Sequence, residues 1–301
     1  MNKKTIIKSV FILCLMALPY SVGAQLRGDF IRGDNNGDGS VSISDVTCLI
    51  NYLLTGEWPA GTIEPTEAQV FTVNGVSFSM MPVEGGTFTM GATEEQVLAG
   101  AASDEYPAHQ VTLSDYYIGE TEVTQELWVA VMGTNPSYFT GDLMRPVEQV
   151  SWNDCQTFIN QLNVLTGKTF RLPTEAEWEH AARGGNKAHS FLYSGNSNID
   201  EVAWYSSNSG NNTHPVAEKQ ANELGLYDMS GNVWEWCQDY YGSSYYSNSP
   251  ATNPTGPELN DGRVCRGGSW NYNSANCRVS HRGHADQANS RYSHFGFRLA
   301  L

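Results

Sequence analysis

The chain has 301 residues, enough for one large domain or two smaller ones. Its formal net charge is −15, and the first 24 residues carry only Lys3, Lys4 and Lys8 as charged side chains, so the remainder carries −15 − 3 = −18. This acidic balance excludes general nucleic-acid binding, which needs a basic surface. It suits a protein that binds divalent cations.

The first 24 residues have the pattern of a secretory signal peptide. The lysines precede an apolar run from Ser9 to Pro19, and Val22-Gly23-Ala24 places small residues before Gln25. The run is too short to cross a bilayer, and we expect no membrane span elsewhere. We therefore expect export to the periplasm, the cell surface or the extracellular space.

Residues 28–57 contain the ligand pattern of an EF-type calcium loop followed by a short amphipathic helix. The expected ligands and the turn residue are Asp34, Asn36, Asp38, Gly39, Ser40 and Asp45. The segment resembles one repeat of a dockerin, which implies a cohesin as partner, although a dockerin that binds a cohesin has two repeats. A calcium-stabilised spacer and a metal-free polar turn are the alternatives.

The next segments show turn and helix signals. Residues 58–70 include two prolines and few apolar residues, which predicts a linker before a domain over residues 71–301. Asn74-Gly75 predicts a type I′ hairpin between two strands. Thr124 is expected to cap a helix over Gln125–Met132 that Gly133 ends.

Two further helices are expected. Ser151 caps the first, and Trp152, Cys155, Phe158, Ile159 and Leu162 follow at the spacing of one helical face. Thr174 and Glu177 form a capping box for the other, which stops at Gly184. We expect its Trp178 in the core and its three glutamates, Glu175, Glu177 and Glu179, on a solvated face. The polar stretch Ser190–Asn222 predicts a long surface loop.

Leu226–Trp236 combines two acids, a turn and two indoles. The carboxylates of Asp228 and Glu235, with the carbonyls of Gly231 and Val233, make a ligand set that suits Ca²⁺. The alternative is that Asp228 caps a turn while Glu235 pairs with an arginine. Spacing alone favours this alternative, because two acids in a glycine-containing turn are common.

Four motifs occur in order: RLPTEAEWEHAARGG over 171–185, GLYDMSGNVWEW over 225–236, RVCRGGSW over 263–270, and GFR over 296–298. Together they resemble the formylglycine-generating enzyme family of sulfatase-modifying factors, over about Ser79–Leu301. The resemblance implies an irregular α+β fold, similar to C-type lectins, with an opening strand pair over Met81–Gly91. It also implies structural calcium bound by Asp228, Gly231, Val233 and Glu235, and a second calcium site in the loop Ala203–His214.

The family's activity is the copper(I)-dependent oxidation of a sulfatase cysteine to formylglycine. Two thiolates hold the copper, and the corresponding positions here are Tyr272 and Cys277, with Ser269 also matching the family. A tyrosine has a reference pKa of about 10 and a hard oxygen, whereas copper(I) prefers soft sulfur. The resemblance therefore implies Cys277 and Ser269 as catalytic residues, while Tyr272 argues against a copper cofactor.

Five cysteines follow the signal peptide: Cys48, Cys155, Cys237, Cys265 and Cys277. An odd number in an exported chain leaves at least one thiol free or joined to a partner. A bridge between Cys237 and Cys277 is possible, and the connectivity stays open at this point.

The last 39 residues differ in composition from the rest. From Arg263 to Leu301 six arginines stand against Asp286 alone, a net of 6 − 1 = +5. Asn, Tyr, Ser, His, Arg and Gly dominate, which is typical of a binding surface. We expect a protein or glycan ligand to contact Tyr272, Arg291, Tyr292 and His294.

The tail also resembles the variable segment of retroelement-diversified proteins, in which mutated Asn codons give a restricted set of residues. The fitting positions are Tyr272, Ser274, His284, Asp286, Asn289, Ser290, Arg291, Tyr292, Ser293 and His294. An ordinary family member with a polar loop is the alternative. Three functions remain: a lectin-like binding module, a sulfatase-modifying oxidase, and a dockerin-anchored subunit of a polysaccharide-degrading assembly.

Overall fold

A computed structural model describes residues 67–259, 262–285 and 287–301, and one compact unit spans Ala68–Leu301. The predictions for residues 1–66 therefore lie outside the described residues. They concern the signal peptide, the repeat at 28–57 with its ligands Asp34, Asn36, Asp38, Ser40 and Asp45, and most of the linker. Asp286 also lies outside.

In the described residues, short strands make four small sheets rather than one continuous sheet. The strands are β1 (Gln69–Val73), β2 (Val76–Val83), β3 (Gly86–Met90), β4 (His109–Leu113), β5 (Tyr116–Gly119), β6 (Ala203–Trp204), β7 (Ser230–Gly231), β8 (Trp234–Tyr240), β9 (Arg263–Arg266), β10 (Gly283–Ala285) and β11 (Phe295–Gly296). Their orders are β1-β2-β5, β10-β9-β8-β11, β3-β4 and β6-β7. Only β8/β11 and β6/β7 pair in parallel.

Five short or medium helices in the same part of the chain connect these sheets. They are α1 (Glu94–Leu98), α2 (Gln125–Met132), α3 (Trp152–Thr166), α4 (Glu175–Ala182) and α5 (Ile199–Val202), with 3₁₀ turns at Ser103–Glu105, Gly185–Lys187, Tyr245–Ser247 and Ser274–Cys277. The fold is α+β and irregular, as predicted. In the described part of the chain, no helix is both long and apolar enough for a membrane span.

The local signals in the sequence are confirmed. The hydroxyls of Thr124, Ser151 and Thr174 accept hydrogen bonds from backbone amides in the first turns of α2, α3 and α4. Asn74 and Gly75 have φ values of 49° and 87°, as a type I′ turn between β1 and β2 requires. These elements follow from short-range hydrogen bonding, so a local sequence pattern is enough to place them.

Two longer-range expectations were wrong. The strands within Met81–Gly91 do not pair with each other, because β2 pairs with β1 and β5 while β3 pairs with β4. The stretch Ser190–Asn222 contains α5 and β6 and buries Val202, Ala203 and Thr213. It is therefore partly interior and not only a surface loop.

The two larger of three apolar clusters in the described residues form most of the core. One packs α2 and α3 against β1, β2, β8 and the end of the chain, and includes Trp128, Phe158, Trp236 and Phe297. The other packs α4 between β2–β5 and β9, with Trp178 fully buried at its centre as predicted. Strand β8 contributes to both clusters, so it fixes the acids of the Leu226–Trp236 motif in the interior.

Candidate functional site

Asp228 lies in the turn before β7 with a positive φ of 58° and is almost fully buried. Its Oδ2 accepts a hydrogen bond from the amide of Ala217 at 2.8 Å. Its Oδ1 has no hydrogen-bond partner among the described residues. Burial raises the pKa of this carboxyl to about 6.

Glu235 on β8 has no exposed surface and carries both of its oxygens into an ion pair with Arg298 of the GFR motif. The two N···O distances are 2.6 Å, and the indole Nε1 of Trp178 donates a third hydrogen bond at 2.7 Å. Glu235 thus has the arginine partner that was the alternative to a calcium ion in the sequence-based prediction.

A third buried carboxylate, which sequence analysis missed, lies beside this pair. Glu122 accepts hydrogen bonds from the side-chain amide of Asn232 at 2.7 Å and from the backbone amide of Val233 at 3.1 Å. Burial, and then the charges of Asp228 and Glu235, raise its pKa well above the usual range. No local signal marks Glu122, because it is one of several acids in its stretch and lies 106 to 113 positions before its partners.

These three carboxylates face one guanidinium, so the cluster has more negative than positive charge. The unpartnered Oδ1 of Asp228 and the excess of carboxylate oxygens fit a hard divalent cation with oxygen ligands. No group of three or more His, Cys, Asp or Glu side chains is arranged for a metal ion in the described ranges. The predicted set uses only two side chains, Asp228 and Glu235, with the carbonyls of Gly231 and Val233.

The loop expected to hold a second calcium ion is occupied by an aromatic stack. The rings of Trp204 and His214 lie 3.7 Å apart and nearly parallel. The ammonium of Lys219 lies 4.0 Å from the Trp204 ring. The positive charge at this loop is therefore supplied by the side chain of Lys219, through a cation–π contact.

Cys277 ends the 3₁₀ turn Ser274–Cys277 and is fully buried. Burial raises the pKa of its thiol to about 12, so it is protonated at neutral pH. The thiol packs against Gly268, where a Cβ would lie only 2.6 Å from the sulfur. The buried hydroxyl of Ser269 forms a hydrogen bond with Asn271 at 2.9 Å.

Tyr272 is half-buried, and burial raises the pKa of its phenol further above the ordinary value. Its ring packs edge-on against Trp234, with centroids 5.4 Å apart. Position 272 therefore presents a neutral phenol, and with Cys277 it cannot form a pair of soft thiolate ligands. The residues at these two positions do not fit a two-thiolate copper(I) site.

Every cysteine in the described ranges is free and buried: Cys155, Cys237, Cys265 and Cys277. The bridge between Cys237 and Cys277, which the sequence left open, is not present. The domain is held together by packing and buried ion pairs instead.

Three of the four expected ligand-binding side chains lie together. The rings of Tyr292 and His294 stack with centroids 5.2 Å apart, and Tyr272 lies 5.5 Å from His294. Tyr292 is 47% exposed, and burial lowers the pKa of His294 to about 4, so the imidazole is neutral at pH 7. Arg291 is exposed beside them and holds Asp154 of α3 at 2.6 Å.

Aromatic side chains that were not among the predicted site residues extend this surface. Trp270 donates its indole N–H to the carbonyl of Ser293 at 2.9 Å. Its ring packs edge-on against Phe139 at 5.1 Å, and Phe139 in turn contacts Tyr138, which is 70% exposed. Phe139 precedes Trp270 by 131 positions, so only the fold brings them together.

Most of the positive charge of the tail does not lie on its surface. Four of the six arginines are buried: Arg266, Arg278, Arg282 and Arg298. Glu175 pairs with Arg282 at 2.7 Å, Glu179 with Arg266 at 2.6 Å, and Glu105 with Arg278 at 2.6 Å. The expectation that Glu175 and Glu179 lie on a solvated face was wrong, because the tail brings cations to that face of α4.

The tail thus separates into anchoring and surface positions. Cys277, Arg278, Val279, Ser280 and Arg282 are buried. The exposed or half-buried positions are Tyr272, Ser274, His284, Asn289, Ser290, Arg291, Tyr292, Ser293 and His294. These are the positions that fit a diversified segment, apart from Asp286.

Comparison with known proteins identifies two families. Residues 67–301 match the family described as the sulfatase-modifying factor enzyme 1-like domain, and residues 32–75 match the dockerin type I domain. The second match overlaps β1, and its calcium-loop part lies outside the described residues.

Individual relatives carry different names. The chain is 36% identical to the chaperone protein LppX of Paenibacillus barcinonensis, over 70% of this chain and 85% of that protein. It is 31% identical to the formylglycine-generating enzyme of Streptomyces coelicolor, over 94% of this chain and 91% of that enzyme. Among solved structures, Treponema denticola variable protein 1 is similar with a TM-score of 0.71 and 36% identity, covering 78% of this chain and 99% of that one.

Proposed function

We propose, since the chain belongs to the sulfatase-modifying factor enzyme 1-like family, that its domain keeps the family fold but serves as an exported, calcium-stabilised, non-catalytic binding module. The observation that carries the proposal is Tyr272, a neutral phenol at a position where the family's oxidase needs a thiolate. Cys277 alone is a buried, protonated thiol.

The ligand surface consists of Tyr272, Tyr292 and His294, with Arg291 at its edge. Rigid aromatic rings provide contact area with little loss of conformational entropy, and the neighbouring Ser and Asn side chains provide adaptable hydrogen bonds. His294 adds no charge at neutral pH because its pKa is lowered to about 4. The surface therefore suits an uncharged region of a protein or glycan.

In this proposal, the side chains on the ligand surface differ between related copies of this module. Two observations support this part of the proposal. The candidate diversified positions in the described tail are exposed or half-buried, whereas Arg278 and Arg282 between them are buried in ion pairs. The Treponema denticola relative is called a variable protein.

The test compares the wild-type protein with a variant in which Tyr272, Arg291, Tyr292 and His294 are all alanine. A phage-displayed random peptide library and a glycan array serve as probes, and biolayer interferometry measures affinity for each hit. We expect the variant to lose binding. A variant with alanine at three exposed residues elsewhere, Lys168, Lys187 and Glu218, is the control and should bind as the wild type does. Binding that survives in the four-alanine variant contradicts the proposal.

Calcium supports the module in two places. A dockerin type I domain implies calcium binding, and the proposed ligands are Asp34, Asn36, Asp38, Ser40 and Asp45. In the domain, Asp228 would hold the ion through its unpartnered Oδ1, with the carbonyls of Gly231 and Val233, while Glu235 of the predicted set stays paired with Arg298. Bound calcium would supply the positive charge that the three buried carboxylates lack, and so rigidify the turn before β8.

The dockerin match implies a cohesin-type partner and extracellular or cell-surface assembly. We infer that the signal peptide directs export and that residues 28–57 attach the module to such an assembly. A pull-down with purified cohesins, comparing the wild type with an Asp34→Ala/Asp38→Ala variant, tests this attachment. Equal recovery of both proteins, or of neither, contradicts it.

A second candidate function is the oxidation of a sulfatase cysteine. It is favoured by the similarity to the Streptomyces coelicolor enzyme over 94% of this chain and by the presence of Ser269 and Cys277. Incubation with copper(I), O₂ and a peptide that carries a sulfatase motif, followed by mass spectrometry, decides between the two. Formylglycine in the product would replace the binding proposal.

A further inference from the structure

Strand β3 (Gly86–Met90) lies at the edge of its sheet. Its only strand partner in the described part of the chain is β4, in an antiparallel register that places Thr87 opposite Thr112 and Thr89 opposite Gln110. An edge strand presents backbone N–H and C=O groups that can pair with another chain.

The register shows which backbone groups face the open edge. The backbone N–H and C=O groups of Thr112 point away from β3. The N–H donates to the carbonyl of Ala251 at 2.8 Å, and the carbonyl accepts from the N–H of Asn253 at 2.9 Å. Opposed residues in an antiparallel ladder direct their groups either both toward or both away from each other, and the pattern alternates. The backbone N–H and C=O groups of Thr87 therefore point away from β4, and so do those of Thr89, two residues later.

The protein pairs the positions on either side of this segment with its own side chains. Gly85 donates to Asp115 at 2.7 Å and accepts from Asn186 at 3.0 Å. Gly91 donates to Glu179 at 2.8 Å and accepts from Arg183 at 2.7 Å. For Thr87 and Thr89 no such partner exists among the described residues. Two N–H and two C=O groups therefore lack hydrogen-bond partners, between Gly85 and Gly91, whose backbone groups are paired.

A cleft of about 390 Å³ runs along these open groups. Its lining includes Thr87, Phe88 and Thr89 of β3, the nearby residues Asn186, Ala188, His189 and Ser190, and Glu95, Gln110 and Arg183. Glu95 and Arg183 are the charged side chains that line it, and they pair with each other at 3.5 Å. A ligand here meets no unpaired charge, and the volume lies within the ordinary range for ligand sites.

We propose that this cleft binds an extended, uncharged peptide segment of a partner protein, which adds to β3 as a further strand. Residues of an antiparallel strand are spaced by about 3.4 Å, so the groups of Thr87 and Thr89 lie about 7 Å apart and match alternate residues of the peptide. A peptide fits better than a glycan, because only a polypeptide repeats donors and acceptors at this spacing. The site is separate from the Tyr272 surface and does not depend on the proposed function.

Amide hydrogen exchange on the full-length protein tests whether the edge is open. Phe88 is in the hydrogen-bonded pair with Val111, so its amide should exchange slowly. The amides of Thr87 and Thr89 should exchange rapidly in the free protein. Slow exchange at both threonines would mean that the edge is already covered, and would overturn the proposal.

Binding is tested with an immobilised library of uncharged pentapeptides. We expect a hit for which N-methylation at one set of alternate residues weakens binding by roughly tenfold, while N-methylation at the residues between them has little effect. The bound peptide should also slow exchange at Thr87 and Thr89. Failure of every peptide to bind, or equal effects of N-methylation at all positions, contradicts strand addition.

Two matched pairs of variants locate the site. Ala188 lines the cleft and Ala251 lies outside it, and both are exposed, so Ala188→Arg should abolish binding while Ala251→Arg should not. Thr89→Pro removes one open N–H without removing a bond to β4, whereas Thr89→Val keeps that N–H. We expect Thr89→Pro to weaken binding roughly tenfold and Thr89→Val to bind as the wild type. Unchanged binding in Ala188→Arg, or neutral glycans that compete for the site on an array, would overturn the assignment.

Discussion

The carboxylate of Glu235 and the guanidinium of Arg298 form a bidentate ion pair in the interior, with both N···O distances at 2.6 Å and neither side chain exposed. This contact joins the motif before β8 to the GFR motif near the end of the chain. Arg298 also donates to the carbonyls of Gly119 and Tyr227, so it links β5 and the Asp228 turn as well.

Removal of Arg298 should therefore destabilise the domain strongly. Arg298→Met leaves Glu235 buried without its cation, and loss of one partner of a buried pair costs about 3–5 kcal/mol of unfolding free energy. Urea denaturation measures the change. The control is Arg291→Met, which breaks the exposed pair with Asp154 and should cost no more than about 1 kcal/mol. Equal costs for the two variants would contradict the importance of the buried pair.

Calcium binding should show two independent sites. By isothermal titration calorimetry we expect about two ions for the wild type, and about one for either Asp34→Ala/Asp38→Ala or Asp228→Asn. Chelation should lower the melting temperature of the wild type, because an ion that binds only the folded state stabilises it. If Asp228→Asn binds as many ions as the wild type, the ligand set at β8 is wrong.

Stability should depend on Glu148 across the acidic pH range. Burial raises the pKa of this carboxyl to about 7, although the amide of Phe139 donates to it at 2.7 Å. A raised pKa means that the folded state binds a proton more tightly than the unfolded state, so this contribution is present below the ordinary pKa and decreases as pH rises toward 7. Relative to Glu148→Gln, the wild type should lose about 2 kcal/mol of unfolding free energy between pH 4.5 and 7.5.

Denaturation of both proteins at several pH values measures this difference. Asp142→Asn is a suitable control, because Asp142 is an exposed acid in the same region. A constant difference between the wild type and Glu148→Gln over this range would show that Glu148 does not titrate there.

A single substitution should create the soft ligand pair that the wild type lacks. Tyr272→Cys places a second sulfur at the family position, and copper(I) prefers two soft thiolates over a phenol and a thiol. Competition with bicinchoninate should show much tighter copper(I) binding by Tyr272→Cys than by the wild type or by Tyr272→Ser. Tight copper(I) binding by the wild type itself would count against the loss of oxidase chemistry.

The cysteines should behave as inert thiols. In a Cys48→Ser variant purified without its signal peptide, four thiols should react with Ellman's reagent in guanidinium without any reductant, since Cys155, Cys237, Cys265 and Cys277 are free. In the folded protein at neutral pH none of the four should react quickly, because all are buried and their pKa values are raised. A titre of two in guanidinium would reveal a disulfide.

Elements governed by short-range contacts could be predicted from the sequence. The caps at Thr124, Ser151 and Thr174 and the Asn74-Gly75 turn depend on residues within a few positions, so their patterns are visible locally.

Long-range electrostatics could not be predicted. Glu175 and Glu179 look like a solvated helix face until the chain brings Arg282 and Arg266 back from 107 and 87 residues away. Glu122 gives no local sign that it joins Asp228, and Phe139 gives none that it packs on Trp270. Helical periodicity treats every charge as exposed, so it fails where acids and bases neutralise each other in the interior.

The division of the tail into buried anchors and surface positions has an evolutionary consequence. Arg278 and Arg282 secure the segment from inside, whereas side chains such as Ser290 and Tyr292 contribute little to the folding free energy, since surface substitutions usually change it by less than about 0.5 kcal/mol. Under the proposed binding role, a population of such chains can explore many specificities while its members still fold.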